Sequence, residues 1–91
     1  MKKFYKQGSS YFELDFSKES MTCVTENLYN KGIVVSSDMQ EPFYGMANSL
    51  SASAGQPAVG RGEPTLECNE EEFTAAFKVT YEMITSASFN L

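Results

Sequence analysis

Residues Tyr11 to Phe16 alternate strictly: Phe12, Leu14 and Phe16 fall on one side, Tyr11, Glu13 and Asp15 on the other. A period of two is the mark of a β-strand with one apolar and one wet face. Phe4-Tyr5-Lys6 precedes it across the turn-forming cluster Gln7-Gly8-Ser9-Ser10, so the two segments predict a hairpin. Ser17-Lys18-Glu19-Ser20 supplies a second turn before the β-branched run Met21-Thr22-Cys23-Val24-Thr25. Asn30-Lys31-Gly32 then leads into Ile33-Val34-Val35, a short fourth strand. Strands joined by hairpins in sequence form an antiparallel meander.

The period changes near residue 69. Asn69 followed by Glu72 spells a capping box, Glu70 and Glu71 face the positive end of the helix dipole, and Cys68 and Phe73 have the spacing of a hydrophobic staple. Phe73, Ala76, Phe77, Thr80, Tyr81 and Ile84 then recur at helical spacing, a stripe fit to cover the apolar side of the sheet. Val79 and Met83 widen the apolar arc beyond that stripe, a surplus that points to a partner or a second subunit.

Between these patterned regions lies MANSLSASAGQPAVGRGEP, Met46 to Pro64. No charged residue occurs from Phe43 to Gly60, and the chain's three prolines, Pro42, Pro57 and Pro64, bracket or interrupt the segment. With no period to read, residues 38–66 are expected to form a long irregular arm rich in Ala, Ser, Gly and Pro, in which Ala47 to Ala54 could make a short weak helix. Small uncharged residues suit an arm laid on another surface. Its larger members Phe43, Tyr44, Met46, Leu50 and Val59, together with Val79 and Met83 of the helix, are the expected partner contacts. The predicted fold is α+β: one small domain, with a meander of three to four strands (residues 1–37), the arm, and one C-terminal amphipathic helix (residues 69–88).

Charge narrows the partners. The net charge of -5 opposes binding to phosphate backbones or anionic lipid, so nucleic acid is not expected as a partner. No run approaches the roughly 20 apolar residues of a membrane helix, and MKKFYKQGSSYF has no apolar core of a signal peptide. Lys2, Lys3 and Lys6 sit at one end of the chain, while Glu67, Glu70, Glu71 and Glu72 form a candidate acidic patch near the other. The chain contains no histidine, which removes Ser-His and Cys-His nucleophiles and the commonest metal ligand together. Cys23 and Cys68 stand alone, without a CxxC, and no phosphate-binding glycine motif is present. Glu13 and Asp15 share a strand face about 7 Å apart, where solvated carboxylates ordinarily sit. Neither enzyme chemistry nor a metal or cofactor is expected.

The sequence FYKQGSSYFELDF, the following SMTCVTEN and the closing CNEEEFTAAFKVTYEMI together resemble short reading frames of tailed bacteriophages, in which a small β-meander precedes a glutamate-capped amphipathic helix. The resemblance covers roughly the first 35 and last 25 residues and carries no functional residue with it. It implies a virion-associated or accessory viral protein, located in the virion or the host cytoplasm. Two functions fit. One is a non-enzymatic structural protein whose arm contacts other copies of itself or other particle components. The other is an acidic inhibitor or adaptor, with Glu67, Glu70, Glu71, Glu72 and Glu82 docking into a basic groove of a host protein.

Overall fold

The computed structural model describes residues 1–26, 31–56 and 63–89, with the side chains of 87–89 left aside. The elements are β1 Lys2–Gln7, β2 Ser10–Asp15, β3 Ser20–Glu26, β4 Lys31–Ser36, α1 Glu41–Ser53, β5 Thr65–Cys68 and α2 Glu70–Phe89. The strands form one antiparallel sheet in the order β4-β3-β2-β1-β5. The class is α+β, with α1 and α2 packed on opposite faces.

The first four strands follow from their turns. Gly8 leads the two-residue connection of β1 and β2 at φ 57°, a conformation that glycine takes without strain and that suits the twist of a tight hairpin. A Cβ there would lie 2.9 Å from Cγ of Glu63. The β2–β3 turn is held by Asp15, whose Oδ1 accepts hydrogen bonds from the backbone N–H groups of Ser17 at 3.0 Å and Lys18 at 3.3 Å. This local closure explains how a carboxylate at the end of β2 is buried.

The fifth strand and the first helix correct the expectation of an irregular arm over 38–66. Phe43, Ala47, Leu50 and Ala54 recur at i, i+4, i+7 and i+11, and all four pack with Tyr5 and Leu14 against the sheet. The stripe is narrow and built largely of alanine, so its period is faint in the sequence. Pro42 falls in the first turn of α1, where a missing N–H costs nothing. The entry to the helix is tied to the β2–β3 turn by the Met39 N–H, which donates to the carbonyl of Glu19 at 3.0 Å. Beyond α1, the Gly55 N–H donates to the carbonyl of Thr65 at 3.0 Å, which fastens the end of the helix to β5. The Gln7 side chain adds a hydrogen bond to the Thr65 hydroxyl at 3.1 Å.

The expected wet face of β2 is also corrected. Tyr11, with Phe4, Val24, Ile33 and Cys68, packs against Phe73, Ala76 and Phe77 of α2. The face bearing Phe12, Leu14 and Phe16 is covered by α1, so α2 docks on the side opposite to the one predicted for it. Lys6 lies over the Tyr11 ring at 5.3 Å, giving that face a polar rim. Asn69 does cap α2, its Oδ1 accepting from the Glu72 N–H at 2.8 Å. Thr80, expected on the sheet-facing stripe, is fully buried there.

Phe43 decides between arm and core. It is wholly buried and meets Phe16 edge to face at 5.0 Å. Phe43→Ala is therefore expected to cost about 3–5 kcal/mol of stability in urea unfolding. Tyr44→Ala, at an exposed neighbouring position, is expected to change stability by less than about 1 kcal/mol. An equally small effect at Phe43 would return the segment to the status of an arm.

Candidate functional site

β4 is a strand because Ile33, Val34 and Val35 are β-branched. One side pairs with β3 in the register Thr22↔Val35, Cys23↔Val34 and Val24↔Ile33. Its other side is an edge of the sheet, with no strand beside it among the described residues. Alternation sends Ile33 and Val35 to the α2 face, with Val24, and Val34 to the α1 face. α1 packs over residues of β1 and β2, with Met21 of β3 at its margin, so Val34 is left 62% exposed. Val35 is 61% exposed despite the helix on its own face.

The two edges of the sheet differ. β5 is only four residues long, carries Glu67, and has Ala54 and Gly55 bridged to Thr65. β4 is six residues long, with Lys31 at its start and no charge from Gly32 to Ser37. Short length, charge and covering loops are the features that keep an edge from pairing with another chain, and β4 has few of them.

α2 adds aromatic surface beside this edge. Phe73, Phe77 and Tyr81 succeed one another at i, i+4 and i+8, with ring centroids 6.3 and 6.2 Å apart, and the Phe77 and Tyr81 planes lie within 6° of parallel. Phe4 extends the row at 5.6 Å from Phe73. Phe77 lines a shallow crevice of about 230 Å³ with Phe73, Thr74, Glu13 and Thr22. The Phe73–Phe77 flank of α2 thus borders Thr22, which pairs with Val35 of β4 on the same face. Tyr81 is 55% exposed.

The other flank of α2, with Glu72, Ala75, Ala76 and Val79, borders a second crevice of about 330 Å³ against Tyr11 and Glu26. Neither crevice holds convergent catalytic groups. Glu13 lies 3.8 Å from Lys2 Nζ, and Asp15 is engaged in its turn. No cluster of His, Cys, Asp or Glu suited to a metal ion occurs among the described residues. No helix among them is long and apolar enough to cross a membrane.

The residues anticipated as contacts separate into groups. Phe43 and Leu50 are buried under α1 and present nothing to a partner, which corrects that expectation. Tyr44 and Met46 are exposed on α1, and a hydrogen bond to Glu19 pushes the Tyr44 phenol upward from its ordinary pKa. Val79 and Met83 are exposed on α2. Val59 lies outside the described residues. Glu67, Glu70, Glu71 and Glu72 are all exposed around the β5–α2 junction, at the edge of the sheet away from β4. Val34, Val35 and Tyr81 were not among the anticipated contacts. Their signal is positional: an uncharged last strand of a meander with no proline.

Cys23 and Cys68 do not meet. Cys23 is opposite Phe12 on β2, while Cys68 packs on the α2 face, with β2 and β1 between their strands. Three strand spacings separate them by about 14 Å, beyond the reach of a disulfide, and both are free thiols.

Comparison with known proteins finds no matching family model, no similar curated protein and no similar solved structure.

Burial raises the Cys68 thiol above its ordinary pKa of 9.0, Glu72 and Glu67 raise it further, and Lys6 pulls the other way. A raised value means that the folded chain holds the thiol proton more tightly than the unfolded chain. Its contribution to stability is complete below pH 9 and is lost as pH rises through the folded value. Glu72→Gln is expected to move the pH midpoint of Cys68 alkylation downward, followed by mass spectrometry of the Cys68 peptide. A midpoint that stays in place would contradict the assigned cause.

Proposed function

We propose that this chain acts without catalysis, as a small protein-binding component of a larger assembly, and that it binds through the open edge of β4 and the aromatic flank of α2. The observation that carries the reading is the pair Val34 and Val35. Each is more than half exposed, on opposite faces of a strand whose outer side is open among the described residues. Edge addition by a partner strand would satisfy the outward backbone groups of β4 and bury both valines at once. The likeness of the chain to small tailed-phage proteins supports a particle as the assembly, in the virion or the host cytoplasm. The contact surface differs from the one first expected, because the core of α1 holds Phe43 and Leu50 against the sheet.

The acidic patch supports a second mode of binding. Glu67, Glu70, Glu71 and Glu72 are gathered within one turn of the start of α2 and all face solvent, a surface suited to a basic protein groove. Binding there would be strongly weakened by salt, whereas apolar strand addition would not be.

A photo-crosslinking residue placed at Val35 is expected to form protein adducts in cells producing the chain in its native context. The same probe at Ser51, on the exposed side of α1, is expected to form none. Absence of adducts at Val35, or equal yields at both positions, would contradict β4 as the binding edge.

A further inference from the structure

We infer that the occupant of the β4 edge is a second copy of the same chain, paired antiparallel about a two-fold axis. This rests on the reading of β4 as the binding edge and names the partner.

The strand is self-complementary in pattern. A two-fold axis perpendicular to the sheet requires residues facing each other to lie on the same face of their strands. Centring the axis on Val34 meets this condition: Val34 faces Val34 of the other copy, and Ile33 faces Val35, twice over. Every central pair is then β-branched against β-branched, residues that fit the pleated surface of a strand. Gly32 falls opposite Ser36, and Lys31 opposite Ser37.

Charge favours the same arrangement. Between residues 31 and 38 the charges are Lys31 and Asp38, one at each end of the segment, and both are exposed. Antiparallel pairing brings the Lys31 end of each strand to the end of the other that Asp38 follows. Parallel pairing would set like beside like. The two copies would form one continuous ten-stranded sheet, twice the five strands of a single chain. The axis preserves faces, so the two α2 helices lie on one side and the two α1 helices on the other. Val35 of each copy comes to the seam on the α2 side. The opposite edge takes no part, because Ala54 and Gly55 already engage β5.

The test is the mass in solution by sedimentation equilibrium over a micromolar to submillimolar range, at low and high salt, with far-UV circular dichroism as the control for folding. The expected result is a reversible shift from the 10.1 kDa chain to twice that mass. Val34→Lys places two ammonium groups together at the axis and is expected to weaken association at least tenfold. As an exposed edge substitution it should leave the fold intact. Lys31→Glu is expected to weaken association less, chiefly at low salt, and Asp38→Asn in the same chain to recover part of the loss.

A monomer at all concentrations, or a dimer indifferent to Val34→Lys, overturns the inference. If the chain is monomeric and Val35 crosslinks to a different protein, the β4 edge stands as the binding site and the second copy fails as its occupant. A monomer without adducts at Val35 removes both readings.

Discussion

Leu14 and Val24 stand on neighbouring strands of the sheet, both fully buried, on opposite faces. A sheet with apolar residues on both faces must be covered twice, and the rest of the structure follows from how that is done. Five strands span about 19 Å between their outer axes, while a helix with its side chains is about 10–12 Å across. α2 reaches every strand from β1 to β4, whereas α1 stays over β1 and β2 and reaches β5. α1 settles over Tyr5 and Leu14, and α2 over Phe4 and Val24. The outermost strand of the meander, β4, is left bare on the face away from α2, while α2 meets it on the other through Ile33. Exposure of Val34 is thus a consequence of geometry, and a small domain has no further element among its described residues with which to correct it.

The two edges of the sheet resolve the same difficulty differently. β5 follows α1 in the chain, and the return from the helix brings Ala54 and Gly55 alongside it, so this edge is blunted by its own connection. β4 precedes α1, and the chain leaves it at once for the far side of the sheet. The connection passes through Asp38 and Gln40 at φ 51° and 59°, values that non-glycine residues rarely adopt. The turn away from β4 is sharp, which keeps the α1 segment from lying along the strand it has just left. The acidic residues of the β5–α2 junction are separated from the β4 edge by the width of the sheet, so the two surfaces can act independently.

Much of this was legible in the sequence, for reasons that differ by element. The hairpins of β1, β2 and β3 were plain because Gly8 and the Ser17–Ser20 cluster are turn-forming residues between patterned strands; the part Asp15 plays in the second turn was not read. α2 was plain because Asn69 caps it and Phe73, Phe77 and Tyr81 are large enough to reveal a helical period. α1 was hidden because its buried stripe consists of Phe43, Ala47, Leu50 and Ala54, and alanine beside serine gives almost no contrast between faces. β5 was hidden because four residues are too few to show alternation. The sides of the sheet were exchanged for a related reason: without α1, only α2 remained to cover Leu14. The open edge could not be read from residue types, because Ile33-Val34-Val35 has the same composition whether a strand is central or terminal. Strand order alone distinguishes the two, and the uncharged Gly32–Ser37 run takes on meaning only when β4 is found at the edge.

The measurement that tests this account most directly is backbone amide hydrogen exchange at two protein concentrations. Amides of β2 and β3 should be protected at both. Amides of β4 that point away from β3 should exchange quickly in dilute solution and slowly in concentrated solution, while protection in β5 stays constant. Fast exchange of those β4 amides at both concentrations, or a concentration effect confined to β5, would contradict the claim that the bare edge of β4 is where this protein meets a second copy of itself.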